Sequence, residues 1–157
     1  MQPEACFPQI VSALRALADR AADSGVSIGL ENEHACNLAT GAEAAPLLAE
    51  VDHPNLKLIW DPANALVSGE SPYPEGYQRV PAARIVHVHA KDCTVEGHTP
   101  AWCELGKGAV DWPGQVAALR SDGYRGWISL ETHWAGPGGD KLRGSMICAR
   151  NLQALSA

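Results

Sequence analysis

Leu56-Lys-Leu-Ile-Trp60, followed by Asp61, is the stretch that decides the fold. Leu56, Leu58 and Trp60 alternate with Lys57, Ile59 and Asp61, the period of a strand with one face on a core. His53-Pro-Asn55 supplies a turn before it. The same pattern recurs on both sides. Upstream, Val26-Ser-Ile-Gly-Leu30 sets Val26, Ile28 and Leu30 against Ser27, Gly29 and Glu31. Downstream, Arg84-Ile-Val-His-Val-His89 is rich in β-branched residues and sets Val86 and Val88 against Ile85, His87 and His89. Trp127-Ile-Ser-Leu130 sets Ile128 and Leu130 against Trp127, Ser129 and Glu131.

Helical patterns fill the intervals. From Pro8 to Ser24 the residues Ile10, Val11, Leu14, Leu17, Ala18 and Ala21 recur at helical spacing, and Gly25 closes the helix. Thr40 and Glu43 form a capping box for a helix towards Val51, although Pro46 offers an alternative start nearer itself. A weaker helix covers Glu75 to Ala83, and a polar loop runs from Lys91 to about Val110. Trp112-Pro113 opens a helix closed near Gly123, and a last helix holds Leu142, Met146, Ile147, Leu152 and Leu155. The order is helix, then four strand–helix units, which implies parallel strands joined by right-handed crossovers. The expected class is α/β, a partial (β/α)8 barrel of four parallel strands with flanking helices, residues 1–157 forming one half-barrel domain. A complete barrel takes about 250 residues. Four strands leave two open sheet edges, so self-association or a complementing half-barrel is expected.

Phase carries the functional reading. If the apolar faces pack on helices, Glu31, Asp61, His89 and Glu131 all point inward, each at or just past the C-terminal end of its strand. That rim is where barrel enzymes place their active sites. Three carboxylates and an imidazole gathered there repel one another unless a cation balances them. Such an oxygen-rich set suits a divalent ion, Mn²⁺ or Mg²⁺ before Co²⁺ or Zn²⁺. Singly, each acid also reads as a helix cap or a solvated loop charge.

Composition narrows the partners. Lys and Arg number 12 against 18 Asp and Glu, for a net charge of −6, which argues against a nucleic-acid partner. No apolar run approaches the ~20 residues of a membrane helix. The opening Met1-Gln-Pro-Glu lacks the order of a signal peptide, so a cytoplasmic protein is expected. Five scattered cysteines without a C-x-x-C pair read as reduced thiols or small buried hydrophobes. Gly106-Lys-Gly108 lacks phosphate-loop spacing and reads as a turn into the Trp112 helix.

Five motifs in order also carry a resemblance: Leu30-Glu-Asn-Glu-His34, Trp60-Asp-Pro-Ala-Asn64, Val86-His-Val-His-Ala-Lys-Asp92, Leu105-Gly-Lys-Gly-Ala-Val-Asp-Trp112 and Ser129-Leu-Glu-Thr-His133. Together they resemble the xylose-isomerase-like barrel superfamily, and within it the sugar phosphate isomerases/epimerases, matching the half that holds strands five to eight. The resemblance implies metal ligation by Glu31, Asp61, His89 and Glu131, with His89 rather than the deeper His87 as the imidazole ligand. It implies proton transfer next to a carbonyl of a sugar or small hydroxy-ketone through an enediolate, with Glu31 and Glu131 as the catalytic pair. His34, Asn64 and Lys91 are the substrate-binding candidates, and His133, Trp134 and Trp102 candidate pocket walls. Lys91 and Asp92 read either as contacts to a substrate oxygen or as a surface ion pair. The chain departs from the pattern at Asn64, where related epimerases and abasic-site endonucleases carry His. It also has Trp102-Cys-Glu104 where the nuclease branch needs Asp-x-His. A dehydratase of a polyol-derived ketone and an inactive half-barrel that only binds metal are the alternatives, with the nuclease last.

Overall fold

The computed structural model describes residues 3–156. Helix α1 (Pro3–Asp23) turns Val11, Leu14, Ala18 and Ala21 into the core, while Leu17 stays half exposed. It closes at Gly25, whose φ of 67° is the left-handed conformation that glycine adopts without strain. Strand β1 (Ile28–Glu31) follows, then α2 (Gly41–Val51). The Thr40 hydroxyl accepts the Glu43 N–H at 3.2 Å, and the Glu43 carboxylate accepts the Thr40 N–H at 3.1 Å. Glu70 takes the next two free donors, the N–H groups of Gly41 and Ala42, at 2.6 and 2.9 Å. With its first turn satisfied, the helix starts at the cap and carries Pro46 inside it, so the alternative start near Pro46 does not hold.

Strand β2 (Leu56–Trp60) runs into a short helix that the hydrophobic pattern did not announce, α3 (Pro62–Val67). Asp61 is its N-cap and Pro62 its first residue, where a missing N–H costs nothing. The helix expected over Glu75–Ala83 is broken into a π-type turn Pro72–Gly76, the short α4 (Tyr77–Arg79) and a 3₁₀ turn Ala82–Arg84. Pro81, with no N–H to donate, separates the last two.

Strand β3 (Ile85–Ala90) leads to a second difference. The segment read as a polar loop contains an antiparallel hairpin, β4 (Asp92–Glu96) and β5 (Thr99–Cys103), turning at Gly97 with φ 61°. Helix α5 (Trp112–Ser121), strand β6 (Trp127–Leu130) and helix α6 (Lys141–Ser156) complete the chain.

The main sheet has the order β1-β2-β3-β6, every pair parallel. This is an α/β fold of four parallel strands with flanking helices. Leu56, Leu58, Trp60, Val88 and Ala90 are fully buried in one core with Leu47, Leu48, Ala63, Val116 and Leu119 from the helices. Burying each such side chain contributes roughly 1.5–3 kcal/mol. The expected phase fails at one place. Leu58 pairs with Ile85 but Ile59 pairs with His87, so Val86 is an extra residue in β3. Val86 is 41% exposed on the face opposite Val88, and Ile85 takes the buried position. Beyond that irregularity His87, Val88 and His89 regain the phase read from the sequence, which is what puts His89 on the inner face. No strand among the described residues pairs with the outer edges of β1 and β6.

Candidate metal centre

Each strand delivers one group. Glu31 is the last residue of β1, Asp61 follows β2, His89 is next to last in β3, and Glu131 follows β6. The Glu131 N–H donates to Ala90 O at 3.0 Å, so the β3–β6 ladder runs one step past the strand and fixes the backbone that carries it. One ligand atom from each of the four lies within 4.8 Å of all the others. His89 Nδ1 stands 3.0 Å from Glu31 Oε1, 3.3 Å from Glu131 Oε2 and 3.9 Å from Asp61 Oδ2. Neighbouring ligands of an ion held at ~2.0–2.2 Å lie roughly 3.0–3.4 Å apart, so the first two separations are those of a coordination shell and the third is wider. A further mark is Asp61 Oδ2, fully buried and without a hydrogen bond of acceptable geometry, although Lys91 Nζ is 2.9 Å away. Its other oxygen, Oδ1, accepts the Asn64 N–H at 2.9 Å. The donor set fits a divalent ion. No second gathering of His, Cys, Asp and Glu occurs among the described residues.

A layer of amides holds the quartet. Asn32, fully buried, donates to Asp61 O at 2.8 Å and to Ala39 O at 3.0 Å, and accepts the Asp61 N–H at 2.8 Å, tying the end of β1 to that of β2. Sequence reasoning did not single it out. The signal was available, since Asn32 is polar in the phase that faces helices. Asn64, also buried, donates to Asn32 O at 2.8 Å, Glu33 Oε2 at 3.2 Å and Glu31 Oε1 at 3.4 Å. Its carbonyl oxygen lies 2.7 Å from His34 Nδ1, which places His34 at the mouth of the site. His87 meets Ser129 Oγ at 2.6 Å and sets its ring edge-on to His89, with centroids 5.4 Å apart. Burial, then the neighbouring His89, pushes the His87 imidazole below its ordinary range.

Lys91 and Asp92 are not a surface pair. Lys91 is 1% exposed, and its ammonium meets Asp61 Oδ2 at 2.9 Å and Glu131 Oε2 at 2.7 Å. Burial pulls its pKa down, but the charges of Asp61 and Glu131 outweigh that and hold it above the ordinary value. Burial likewise opposes ionisation of Glu131, yet the hydrogen bond and charge of Lys91 keep its pKa below the usual value. Asp92 turns away, accepting the N–H groups of Cys93, Gly106, Gly108 and Val110 at 2.9, 2.8, 3.1 and 3.3 Å. Gly106-Lys-Gly108 is therefore a turn wrapped on a buried carboxylate, and a Cβ at Gly108 would collide with Asp92 Oδ1. Trp102, on the unanticipated hairpin, stacks 4.7 Å from His133 and lies 6.1 Å from His34. Those three rings stand together, with Trp102 5.8 Å from Lys91 Nζ, and Trp102 and Trp134 both pack against the hydrophobic core.

Asp61 makes the centre sensitive to pH. Burial drives its pKa from 3.8 to about 6, against the lowering effect of Lys91 and the Asn64 N–H. A carboxylate ligates only when ionised, so proton and ion compete for it. Manganese affinity is expected to fall as pH drops through 6, by about tenfold per unit below it. Calorimetric titrations above and below that pH check this, and equal affinities would show that Asp61 takes no part.

The comparisons agree with this geometry. A profile of the family described as xylose isomerase-like TIM barrel matches residues 1–152. The L-ribulose 3-epimerase of Methylomonas sp. (strain DH-1) is 34% identical over 147 residues, covering 90% of this chain and 48% of the epimerase. The inosose dehydratase of Geobacillus thermodenitrificans (strain NG80-2) is 26% identical over 137 residues, covering 78% of this chain and 45% of the dehydratase. The chain thus spans about half the length of these relatives. A solved structure of the IOLI protein with a bound zinc atom superposes with a TM-score of 0.83 at 22% identity, over 99% of this chain and 58% of that one. At that identity the likeness concerns the fold. No helix among the described residues is long and apolar enough to cross a membrane. Strand order and the matched profile lead to one assignment: the chain belongs to the xylose isomerase-like TIM barrel family.

Proposed function

We propose that this chain supplies the metal-binding wall of an enzyme that moves a proton at the carbon next to a carbonyl, in a sugar or small hydroxy-ketone. One observation supports it above the rest: three carboxylates and one imidazole, from four strand ends, converge within 4.8 Å beside a rim of His34, Trp102 and His133. A divalent ion there supplies Lewis-acid charge opposite a developing oxyanion. Glu31 and Glu131 both reach the same atom, His89 Nδ1, at 3.0 and 3.3 Å, and of this pair one takes the substrate proton and the other returns it. Lys91 keeps Glu131 ionised and ready to accept a proton. Asp61 and His89 hold the ion, and Asn64 turns His34 towards the substrate. Return of the proton to the opposite face gives epimerisation, and delivery to the adjacent carbon gives isomerisation.

A specific observation favours a second reading, dehydration of a polyol-derived ketone. The same abstraction begins it, and loss of a hydroxyl then needs a separate acid. His34 has Nδ1 held by two acceptors, Asn64 Oδ1 and Glu33 Oε1, with no contact on Nε2 among the described residues, so as an imidazolium it would give its Nε2 proton to a leaving hydroxyl and return to the neutral ring.

The test is exchange of substrate protons with solvent deuterium at saturating manganese, across ketoses and cyclic polyol ketones. Exchange that stops on chelation is expected. An epimer or isomer as product supports the first reading and loss of water the second. No exchange with any of them in the manganese-loaded protein would remove both.

A further inference from the structure

The charges around the centre do not balance with the four ligands alone. Glu31, Asp61 and Glu131 bring three negative charges, and His89 ligates as a neutral imidazole. A divalent ion leaves this set one charge short of neutrality. The missing charge is already present. The Lys91 ammonium is 1% exposed and meets one oxygen of Asp61 and one of Glu131, at 2.9 and 2.7 Å. Its nearest acidic neighbour in sequence, Asp92, contributes nothing to the balance, because its carboxylate faces four backbone N–H groups on the other side. The indole of Trp102 lies 5.8 Å from Nζ and covers it.

We infer that Lys91 is a positioning residue that sets the charge of the metal centre: a fixed internal cation that leaves room for two further positive charges and not three. The inference rests on the metal reading above. It assigns Lys91 to the ligands rather than to the substrate, since the ammonium is 1% exposed and sits against two of the three carboxylates. An ordinary tri-carboxylate site strongly favours a trivalent ion over a divalent one of equal size, because attraction scales with the ion's charge. With Lys91 in place that preference shrinks.

Manganese(II) and lutetium(III) have nearly equal radii and differ by one charge, so the ratio of their affinities reports charge balance and cancels any general loosening of the site. Manganese binding is followed by the resonance of the free ion, and lutetium by displacement of manganese, at neutral pH. Lys91→Met should raise the lutetium-to-manganese ratio at least about tenfold over wild type, and Lys91→Arg should leave it within about twofold. An unchanged ratio in Lys91→Met, with both ions bound, overturns the inference and leaves the metal reading standing. If Lys91→Met does not fold, Lys91→Gln takes its place, and an unchanged ratio there overturns the inference. A wild-type chain that binds neither ion overturns the metal reading itself.

Discussion

Asp61→Asn should abolish divalent-ion binding and at the same time make the metal-free chain more stable. The two effects have one cause. Burial raises the Asp61 pKa from 3.8 to about 6, so at neutral pH the folded chain holds this carboxylate ionised at a cost that the unfolded chain does not bear. A group whose folded pKa lies above its unfolded one favours the folded state most at low pH, and that advantage is lost as pH rises through the folded value. Here the window runs from about 4 to about 6, and the ionised group costs up to about 3 kcal/mol above it. Asparagine removes the charge, keeps the volume and still caps a helix as well as aspartate does. A thermal melt of the metal-free variant at neutral pH should move up by several degrees. Calorimetry should show manganese affinity reduced by at least about a hundredfold, since even partners one step removed from a metal cost 10–100-fold. Retained affinity would show that Asp61 is a cap and nothing more.

Asp92→Ala acts in the opposite direction, with no contribution from the metal. Four backbone N–H groups converge on this carboxylate, three of them from the turn that links β5 to α5. Alanine leaves all four without this acceptor, those of Cys93 and Val110 buried and those of Gly106 and Gly108 partly so, and a single unsatisfied buried donor costs about 1–3 kcal/mol. Water entering the gap recovers part of this, so a loss of about 3–5 kcal/mol is expected in urea unfolding. The effect should reach Lys91, whose carbonyl accepts the Trp112 indole N–H at 3.2 Å across the same turn. A loss below about 1 kcal/mol would mean that the turn holds its shape without Asp92.

What the sequence disclosed follows from which physical signals are periodic. Alternation in Leu56–Trp60, and the position of an acid just after it, fixed strand, face and rim together, and the same reasoning placed Glu31 and Glu131. It worked best at β2, where Leu56, Leu58 and Trp60 are buried while Lys57 and Ile59 are only partly so. At β3 it faltered, since Val86 is an inserted residue and apolar periodicity cannot announce an insertion. The hairpin 92–103 was missed for a different reason. Cys93 and Val95 rest on the core, but Thr94, Glu96, Thr99 and Ala101 face outward, so local polarity resembled a loop. Helix α3 was short enough to leave no apolar stripe, yet Asp61-Pro62 is a cap followed by a preferred first residue. The amide layer of Asn32 and Asn64 was hardest to read, because its partners are backbone atoms whose meeting depends on register.

The cap on α3 has a further effect. One oxygen of Asp61 is committed to the helix N-terminus, so the carboxylate cannot rotate to clasp an ion with both. Toward an ion held by the quartet, Asp61 would therefore offer the single oxygen Oδ2.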